Sequence, residues 1–275
     1  MKEYVRVLTI AGSDSGGGAG IQADLKTFSA LGCFGCSAIT AITVQNTLGV
    51  TGIHSVPPAI VEAQISVVMD DIKPQAVKVG MVHSTGLVHS IARVLKKYPK
   101  VPVILDPVMI ATSGDRLIEA ETVAVLKQEL FPLASLVTPN LDEAAVLADM
   151  KASDVEEMKQ AAMKILATGC KAVLVKGGHL RGETLFDVFR DRDGQEKIIS
   201  ALHIPTGNTH GTGCTLSSAI ACFVARGLPM VQAVEAACGY VHGAIAAGCD
   251  VRTGGGHGPL NHFYKPQTLI KYEME

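Results

Sequence analysis

Short apolar runs alternate with helical patterns along most of the chain, and this alternation restricts the fold more than any other feature. Residues 4–11 form a strand-like run rich in Val, Leu and Ile, and residues 21–31 follow as a helical pattern that ends at Gly32. The apolar run at residues 101–105 is typical of a strand buried on both faces. Repeated units of this kind predict an α/β fold with a mostly parallel central sheet and helices on both faces. No linker or repeat divides the chain, so we expect one domain over residues 1–275.

One pair of strand patterns is expected to run antiparallel. Residues 185–190 and 196–201 alternate as strands do, and a short polar stretch with Gly194 separates them. This spacing predicts a β-hairpin. Two helical patterns rich in small residues follow, at residues 215–225 and 230–247.

The glycine-rich segment at residues 11–20 follows the first predicted strand and leads into a helix. Gly12 and Gly17 have the spacing of a P-loop, but Gly18 and Ala19 stand where that motif has its lysine and hydroxyl. A dinucleotide-binding fingerprint fails as well, because Ile21 replaces its third glycine. We interpret the segment as a tight turn whose backbone approaches another group closely, and that group could be a substrate.

A second glycine-rich segment, at residues 208–214, stands directly before a predicted helix. The first N–H groups of a helix have no acceptor within it, and together with the helix dipole they form an anion site. Gly211 and Gly213 would let these donors face a phosphate without an intervening Cβ. An ordinary glycine-rich helix start explains the spacing equally well. His210 and Cys214 lack further ligands at zinc spacing nearby.

Several short motifs together resemble one known family, the bacterial hydroxymethylpyrimidine and phosphomethylpyrimidine kinases, which have the ribokinase-like fold. The motifs occur in family order and cover essentially the whole chain. Cysteine-type pyridoxal kinases are similar by the same motifs. The matching segments are AGSDSGGGAGIQAD at 11–24, TAITVQNT at 40–47, KVGM at 78–81, LDPVM at 105–109, TPNLDE at 138–143, KGG at 176–178, NTHGTGC at 208–214 and GHGP at 256–259.

The resemblance implies ATP and Mg²⁺ as cofactors, and it assigns a role to each matching residue. An anion hole for the transferring phosphoryl group would be formed by Gly211, Thr212, Gly213 and Cys214. Residues expected at the ATP phosphates are Asn140, Lys176 and Asp106. Magnesium would be organised, partly through water, by Glu143 and Asp106. The pyrimidine pocket would contain Gly12, Asp24, Gln45, Met81 and Val108.

The chemistry of two of these residues fits the implied reaction. Gln45 offers one acceptor and two donors, which suits an amino-pyrimidine edge. Cys214 stands where sugar kinases of this superfamily carry an aspartate base. Because a helix N-terminus lowers the pKa of a thiol, we expect a thiolate that accepts the proton of the substrate hydroxyl. The alternative is that Cys214 only lines the site.

Some positions depart from the family pattern. Ser15 and Gly16 replace the usual proline and serine, which predicts a more flexible turn. Thr206 and Gly207 stand where the family often has a lysine, so one ATP contact is expected to be missing. Residues 109–115 resemble a mobile lid.

The first functional prediction is a kinase of the pyrimidine alcohol and of its monophosphate. The alternatives are a pyridoxal kinase and a non-catalytic vitamin-binding module on the same fold.

Composition narrows the expected partners. The net charge is −2 and no basic tract occurs, so neither nucleic acid nor an anionic membrane is an expected partner. The seven cysteines lie in apolar surroundings, as expected in the reducing cytoplasm. Cys33 and Cys36 have C-x-x-C spacing, but in a strand they would point to opposite faces, which disfavours chelation. A homodimer is expected by analogy with the family alone.

Overall fold

A computed structural model describes residues 1–109, 118–178, 180 and 182–273. Its strands and helices alternate along the chain, as the sequence predicts. The strands are β1 (Lys2–Tyr4), β2 (Arg6–Asp14), β3 (Phe34–Asn46), β4 (Gly49–Ser55), β5 (Ala76–Val79), β6 (Val103–Leu105), β7 (Leu136–Val137), β8 (Ala172–Val175), β9 (Thr184–Asp191), β10 (Glu196–Leu202) and β11 (Lys271–Glu273). The helices are α1 (Gly20–Ala30), α2 (Pro58–Asp71), α3 (Thr85–Leu95), α4 (Ala120–Glu129), α5 (Leu141–Ala148), α6 (Val155–Leu166), α7 (Thr212–Ala225) and α8 (Met230–Ala246).

A nine-stranded sheet forms the centre of the molecule, in the order β10-β9-β8-β7-β6-β5-β2-β3-β4. The contiguous strands from β8 to β3 run parallel to one another. Strands β4, β9 and β10 join the two edges in antiparallel orientation. The prediction of a mostly parallel sheet is confirmed. Strands β1 and β11 form a separate two-stranded ribbon.

Helices cover both faces of this sheet and bury two apolar cores. Helices α2 to α6 enclose one core, which contains Ile65, Ile91 and Phe131. Helices α1, α7 and α8 enclose the other, which contains Phe28 and Ile220. A fully buried Leu, Ile or Phe side chain contributes about 1.5–3 kcal/mol through its removal from water, so these two layers hold the sheet in place.

The two cysteines with C-x-x-C spacing belong to different cores. Cys36 lies in the core under α2, whereas Cys33 lies in the core under α1 and α7. Among the described residues, no cluster of three His, Cys, Asp or Glu side chains could hold a metal ion.

Side chains cap the starts of α3 and α6. The Ser84 hydroxyl accepts a hydrogen bond from the Leu87 N–H at the start of α3, and the Asp154 carboxylate accepts one from the Glu157 N–H at the start of α6. In the part of the chain that the structure describes, no helix is long and apolar enough to cross a bilayer.

The predicted hairpin is present as β9 and β10, which pair in the register Glu196 to Arg190. Strand β4, in contrast, has no counterpart among the predicted strands. Most of its residues are polar or glycine and most are exposed, so the apolar alternation that marks a strand is weak there. It forms because the edge of β3 offers unpaired backbone groups, and β3 continues to Asn46 to meet it.

Candidate active site

A cavity of about 920 Å³ opens where the parallel strands end at their carboxyl termini. Because these strands run in one direction, the segments that follow them meet at one edge of the sheet. Helix α7 begins at the same place. Of the residues that the sequence nominates, the cavity brings together Gly12, Gln45, Met81, Asp106, Val108, Asn140, Glu143, Lys176, Gly211, Thr212, Gly213 and Cys214.

The start of α7 forms one side of this cavity, which the resemblance assigns to the phosphates. Gly211 is the N-cap residue and has φ 83°, a conformation that favours glycine. A Cβ on Gly211 would lie 1.8 Å from the Gly18 carbonyl oxygen, so the position also has no room for a side chain. A Cβ on Gly213 would lie 3.2 Å from Lys176 Nζ and 3.4 Å from Asp106 Oδ2. The start of α7 therefore lies close to a lysine and a carboxylate.

Lys176 and Asp106 form the charged wall opposite α7. Lys176 Nζ lies 2.8 Å from Asp106 Oδ1, and the Thr138 hydroxyl donates to the same oxygen at 3.0 Å. Burial lowers the pKa of Lys176, but the nearby carboxylates of Asp106 and Glu143 outweigh it and raise the pKa. The lysine is therefore charged at physiological pH and can neutralise phosphate oxygens.

Asn140 and Glu143 form a capping box at the start of α5. The Glu143 N–H donates to Asn140 Oδ1 at 2.9 Å, and the Asn140 N–H donates to Glu143 Oε2 at 2.8 Å. The Met109 N–H approaches Glu143 Oε1 at 3.3 Å. Burial, with repulsion from Asp106, raises the pKa of Glu143 to about 7 even though the Lys176 ammonium acts in the opposite direction. A cation in the cavity would favour the ionised form of this carboxylate.

The end of β2 and the glycine turn that follows it form the opposite side, which the resemblance assigns to the alcohol substrate. Gly12 contacts Met81 closely, because a Cβ on Gly12 would lie 2.7 Å from Met81 Cε. The Thr43 hydroxyl lies 3.1 Å from Gln45 Oε1, which orients the amide at the end of β3. Val108 completes the apolar part of this wall. The pocket thus offers one amide among apolar surfaces, as a small heteroaromatic ring requires.

The turn itself is closed by hydrogen bonds. The Ser15 hydroxyl donates to the Gln45 carbonyl oxygen at 2.8 Å and accepts from the Gln45 N–H at 2.9 Å. The Asp14 carboxylate accepts from the N–H groups of Gly16, Gly18 and Ala19. The residue that replaces the family's proline therefore joins the turn to β3, whereas the sequence led us to expect a looser segment.

Asp24 does not line the cavity, so its assignment to the pyrimidine pocket requires correction. Its side chain is fully buried, and both carboxylate oxygens are within 2.9 Å of Lys78 Nζ. The hydroxyls of Thr9 and Ser218 also donate to it, at 2.6 and 2.7 Å. These partners provide the hydrogen bonds and the opposite charge that the buried carboxylate needs. Asp24 therefore has a structural role beneath the cavity and does not line it.

The pKa of Cys214 also differs from the expectation. Its thiol lies at the start of α7, beside the Gly20 N–H, which favours the thiolate. Burial acts in the opposite direction and dominates, raising the pKa to about 11 despite the attraction of the Lys78 ammonium. The prediction that the helix start lowers this pKa is wrong, because desolvation of a thiolate outweighs the backbone and the lysine here. In the free protein, Cys214 is a neutral thiol.

Three residues outside the sequence nominations hold the two sides together. His210 Nε2 lies 3.0 Å from Asp14 Oδ2, and His262 Nε2 donates to the Gly18 carbonyl oxygen at 2.9 Å. Burial lowers the pKa of His262 to about 4, so its ring is neutral. The only sequence signal was the presence of these polar side chains inside glycine-rich segments. Their pairing across 196 residues is a product of the fold.

The cavity continues between the end of β10 and α8, where apolar side chains alternate with a few polar groups. This extension was not predicted, because β10 and α8 carry no phosphate-type motif. The lining residues of the extension are Ile199, Ala201, Leu202, Ile204, Cys238, Val241, His242 and Ile245.

Most of the predicted lid, at residues 109–115, lies outside the described residues, and only Met109 can be placed.

Two solved structures that this chain resembles are named as kinases. The ADP complex of pyridoxal kinase from Bacillus subtilis gives a TM-score of 0.88 at 34% identity, covering 95% of this chain and 98% of that chain. Phosphomethylpyrimidine kinase from Clostridium difficile 630 gives a TM-score of 0.76 at 44% identity, covering 86% and 97%. The fold and the site therefore define a phosphotransferase of the ribokinase-like class.

Related sequences show which family within this class the chain belongs to. A hydroxymethylpyrimidine/phosphomethylpyrimidine kinase from Rhizobium meliloti is 52% identical over 259 residues, covering 94% of this chain and 97% of the relative. The enzyme of the same name from Escherichia coli is 45% identical, covering 94% and 98%. The family model for phosphomethylpyrimidine kinase matches residues 14–261. The chain belongs to the phosphomethylpyrimidine kinase family.

Proposed function

We propose that this kinase transfers the γ-phosphoryl group of ATP to the hydroxymethyl group of 4-amino-5-hydroxymethyl-2-methylpyrimidine, and then to the resulting monophosphate, in thiamine biosynthesis. One observation carries the proposal: a single cavity joins the Gln45 amide, the Cys214 thiol and the first amides of α7. The names of the relatives point to the same two reactions.

The alcohol side of the cavity matches the shape and polarity of the pyrimidine. Gln45 can donate to a ring nitrogen and accept from the exocyclic amine, while Met81 and Val108 cover the ring faces. Held in this way, the ring would direct its hydroxymethyl group towards Cys214. Positioning of this kind provides much of the rate enhancement in phosphoryl transfer.

The phosphate side supplies charge stabilisation. The first amides of α7 would bind the γ-phosphoryl oxygens, and the Lys176 ammonium would neutralise charge between the phosphates. The hydroxyl proton would pass to the Cys214 sulfur while the alcohol oxygen attacks phosphorus, and the bond to the departing ADP oxygen breaks. Because the free thiol is neutral, only the minor thiolate form accepts this proton.

The donor set also fits Mg²⁺ held mainly by phosphate and water. No three-ligand protein cluster occurs among the described residues, but Mg²⁺ commonly takes one or two carboxylates and keeps several waters. Asp106 and Glu143 are both buried beside the cavity, and Glu143 has a raised pKa that a cation would reverse. These two carboxylates would hold the ion. When bound, Mg²⁺ neutralises phosphate charge.

An ADP-release assay with separate alcohols tests the proposal. We expect turnover with the hydroxymethylpyrimidine and with its monophosphate, and much weaker turnover with pyridoxal. Faster turnover with pyridoxal would instead assign vitamin B6 salvage, an activity that the similarity to the Bacillus subtilis structure keeps open. Binding of either alcohol without ADP release would assign a non-catalytic binding module.

The matched variant Gln45→Leu separates recognition from catalysis. Leucine keeps the volume but offers no hydrogen bond, so we expect kcat/KM for the pyrimidine to fall by about 10²-fold or more, since a site built to pair a polar edge discriminates strongly. The KM for ATP should stay within about twofold. An unchanged kcat/KM would remove Gln45 from the substrate site.

We also propose that the protein forms a homodimer through the β3–β4 ribbon and works in the cytoplasm. Ile42 and Val44 point to one side of β3 and are 50% and 63% exposed, next to β4, the edge strand of the sheet as the described residues form it. Exposed apolar rows beside a free edge favour burial against a partner. All seven cysteines are free thiols, which suits a reducing compartment. Light scattering should show a dimer that Val44→Asp converts to a monomer.

A further inference from the structure

A fully buried ion pair lies directly beneath the catalytic region. Lys78 on β5 and Asp24 on α1 both have side chains with 0% exposure, and the shorter of their contacts is 2.8 Å. Removing two opposite charges from water costs several kcal/mol per ion before their attraction is counted. A neutral apolar pair would fill the same space at lower cost, so the ion pair suggests a functional reason for a charge at this place.

The ion pair packs against α7, the helix that carries Cys214. Ser218 on α7 donates its hydroxyl to Asp24 Oδ1 at 2.7 Å, so the face of α7 that carries Ser218 points at the ion pair. Cys214 precedes Ser218 by four residues and therefore lies on the same face, one turn closer to the helix start. Both Cys214 and Lys78 lie at the cavity, with Lys78 behind its surface because its side chain is 0% exposed.

The surroundings keep the ammonium of Lys78 in place. A Cβ on Gly80 would lie 2.8 Å from Lys78 Nζ and 3.0 Å from the Ala11 Cβ, so a larger residue at position 80 would push the ammonium away. The carboxylate of Asp24 raises the pKa of Lys78 far above neutrality although burial opposes this. The lysine carries its charge throughout the physiological range.

We propose that Lys78, held by Asp24, is a positioning residue for the reaction, whose fixed positive charge stabilises the thiolate form of Cys214. The inference rests on the proposed function, since it assumes that Cys214 accepts the proton of the alcohol. It adds to that function the residue, Lys78, whose positive charge favours proton transfer from the alcohol to the sulfur. Lys78 reaches neither substrate, because its side chain has no exposed surface, and it acts through the sulfur.

Several other groups near the sulfur shift the equilibrium between the thiol and thiolate forms of Cys214. The Lys78 ammonium favours the thiolate most strongly, and the Gly20 N–H assists it. The carboxylates of Asp24 and Asp106 oppose it, and burial opposes it more than either. The Lys176 ammonium, which pairs with Asp106, also interacts with Cys214. Removing the charge of Lys78 should therefore make the thiolate distinctly rarer.

The test measures thiolate formation in the free protein, without nucleotide or alcohol. The rate of iodoacetamide alkylation at Cys214 is followed against pH by mass spectrometry of the peptide that contains it. We expect Lys78→Met to slow alkylation at pH 8 by about tenfold or more, since a tenfold change in thiolate fraction corresponds to one pKa unit. An exposed lysine, changed in Lys96→Met, serves as the matched control and should leave the profile unchanged.

A second variant covers the case in which Lys78→Met leaves Asp24 unpaired and prevents folding. Asp24→Asn with Lys78→Met removes both charges, and the asparagine oxygen can still accept from Thr9 and Ser218. Because the lysine acts on the sulfur more strongly than the aspartate does, alkylation should still be slower than in the wild type, by a smaller factor. An alkylation profile that coincides with the wild type in the folded variant would overturn the proposal.

The pH dependence of turnover gives a readout that a purely structural role would not move. In the folded variant, the acidic limb of kcat/KM should shift to higher pH. If the wild-type protein does not phosphorylate the pyrimidine, the proposed function fails while the alkylation result still stands by itself. If turnover is normal but alkylation is unchanged by loss of Lys78, only this inference fails.

Discussion

His210 Nε2 lies 3.0 Å from Asp14 Oδ2, so a buried polar contact joins the glycine turn after β2 to the loop before α7. His262 adds a second link to the same turn through the Gly18 carbonyl oxygen. In the proposed arrangement, these contacts would set the distance between the alcohol pocket and the phosphate-binding start of α7. In-line transfer depends on that distance, and a shift of about 1 Å can reduce the rate about 10²-fold.

Loss of this contact should reduce both stability and turnover. His210→Ala leaves the Asp14 carboxylate with its backbone donors only, and we expect a loss of about 1.5–3 kcal/mol in the free energy of unfolding, as for hydrogen bonds to charged groups. His210→Gln should recover part of both losses, because its Nε2 can donate to Asp14. Urea unfolding and steady-state kinetics measure the two effects. Wild-type values for His210→Ala would show that the contact does not set the geometry.

The pH dependence of this contact has a defined sign. Burial would raise the pKa of Asp14, but the hydrogen bonds from His210 and from the backbone outweigh it and hold the pKa below the ordinary value of 3.8. The contribution is therefore present above about pH 4 and is lost as the pH falls through the lower folded-state pKa. Asp14→Asn should destabilise the protein at pH 7, and the difference from the wild type should shrink in acid.

Gly211→Ala tests whether the start of α7 requires glycine. The φ of 83° disfavours any other residue, and an added Cβ would lie 1.8 Å from the Gly18 carbonyl oxygen. We expect a loss of more than about 2 kcal/mol in stability and a large fall in kcat. Gly207→Ala is the matched control, because nothing lies within 4 Å of its Cβ position. Equal effects of the two substitutions would contradict the role of Gly211.

The sequence predicts most of the fold for identifiable reasons. Buried strands such as β6 and β8 are short continuous apolar runs, and α5 begins at the capping pair of Asn140 and Glu143, so its limits are visible in the chain. Strand β4 lacks an apolar pattern, because it is an exposed edge strand whose partner is β3. Its existence depends on a tertiary edge that no local pattern encodes.

Gly12→Ala tests the wall of the alcohol pocket. The added methyl group would lie 2.7 Å from Met81 Cε, the flexible end of a side chain, so Met81 should move into the cavity. We expect KM for the alcohol to rise about tenfold, which corresponds to about 1.4 kcal/mol, with little change in the KM for ATP. The double variant Gly12→Ala with Met81→Ala should restore the space. Failure of the second substitution to lower KM again would disprove this packing relation.

Glu143→Gln should separate stability from activity. Burial raises the pKa of Glu143 to about 7, so the cost of the buried charge is absent below about pH 4.5 and complete above pH 7. The variant should be more stable than the wild type at pH 8, on the order of 2 kcal/mol, and should match it near pH 4.5.

If Glu143 helps to hold Mg²⁺ as proposed, the same variant should lose turnover, because a neutral amide binds this ion more weakly than a carboxylate does. Glu121→Gln, an exposed matched control, should change stability by less than about 0.5 kcal/mol at either pH. A Glu143→Gln protein that is less stable than the wild type at pH 8 would contradict the raised pKa.

The site was predictable in its residue types and less so in its electrostatics. The motif matches named twelve residues that line one cavity, because they stand near the carboxyl end of a strand, shortly after one, or at a helix start. The role of Asp24 was misjudged, since its partner Lys78 lies 54 residues away and the pair forms only in the folded chain. The pKa of Cys214 was misjudged for a related reason, because the helix start is visible in the sequence and the burial of the thiol is not.

The most direct measurement is a crystal structure of the protein with hydroxymethylpyrimidine and a non-hydrolysable ATP analogue. We predict γ-phosphate oxygens on the backbone amides at the start of α7, the ring edge on Gln45, and the hydroxymethyl oxygen within hydrogen-bonding distance of Cys214 Sγ. A γ-phosphate bound away from residues 211–214, or a pyrimidine bound away from Gln45, would contradict the proposed function.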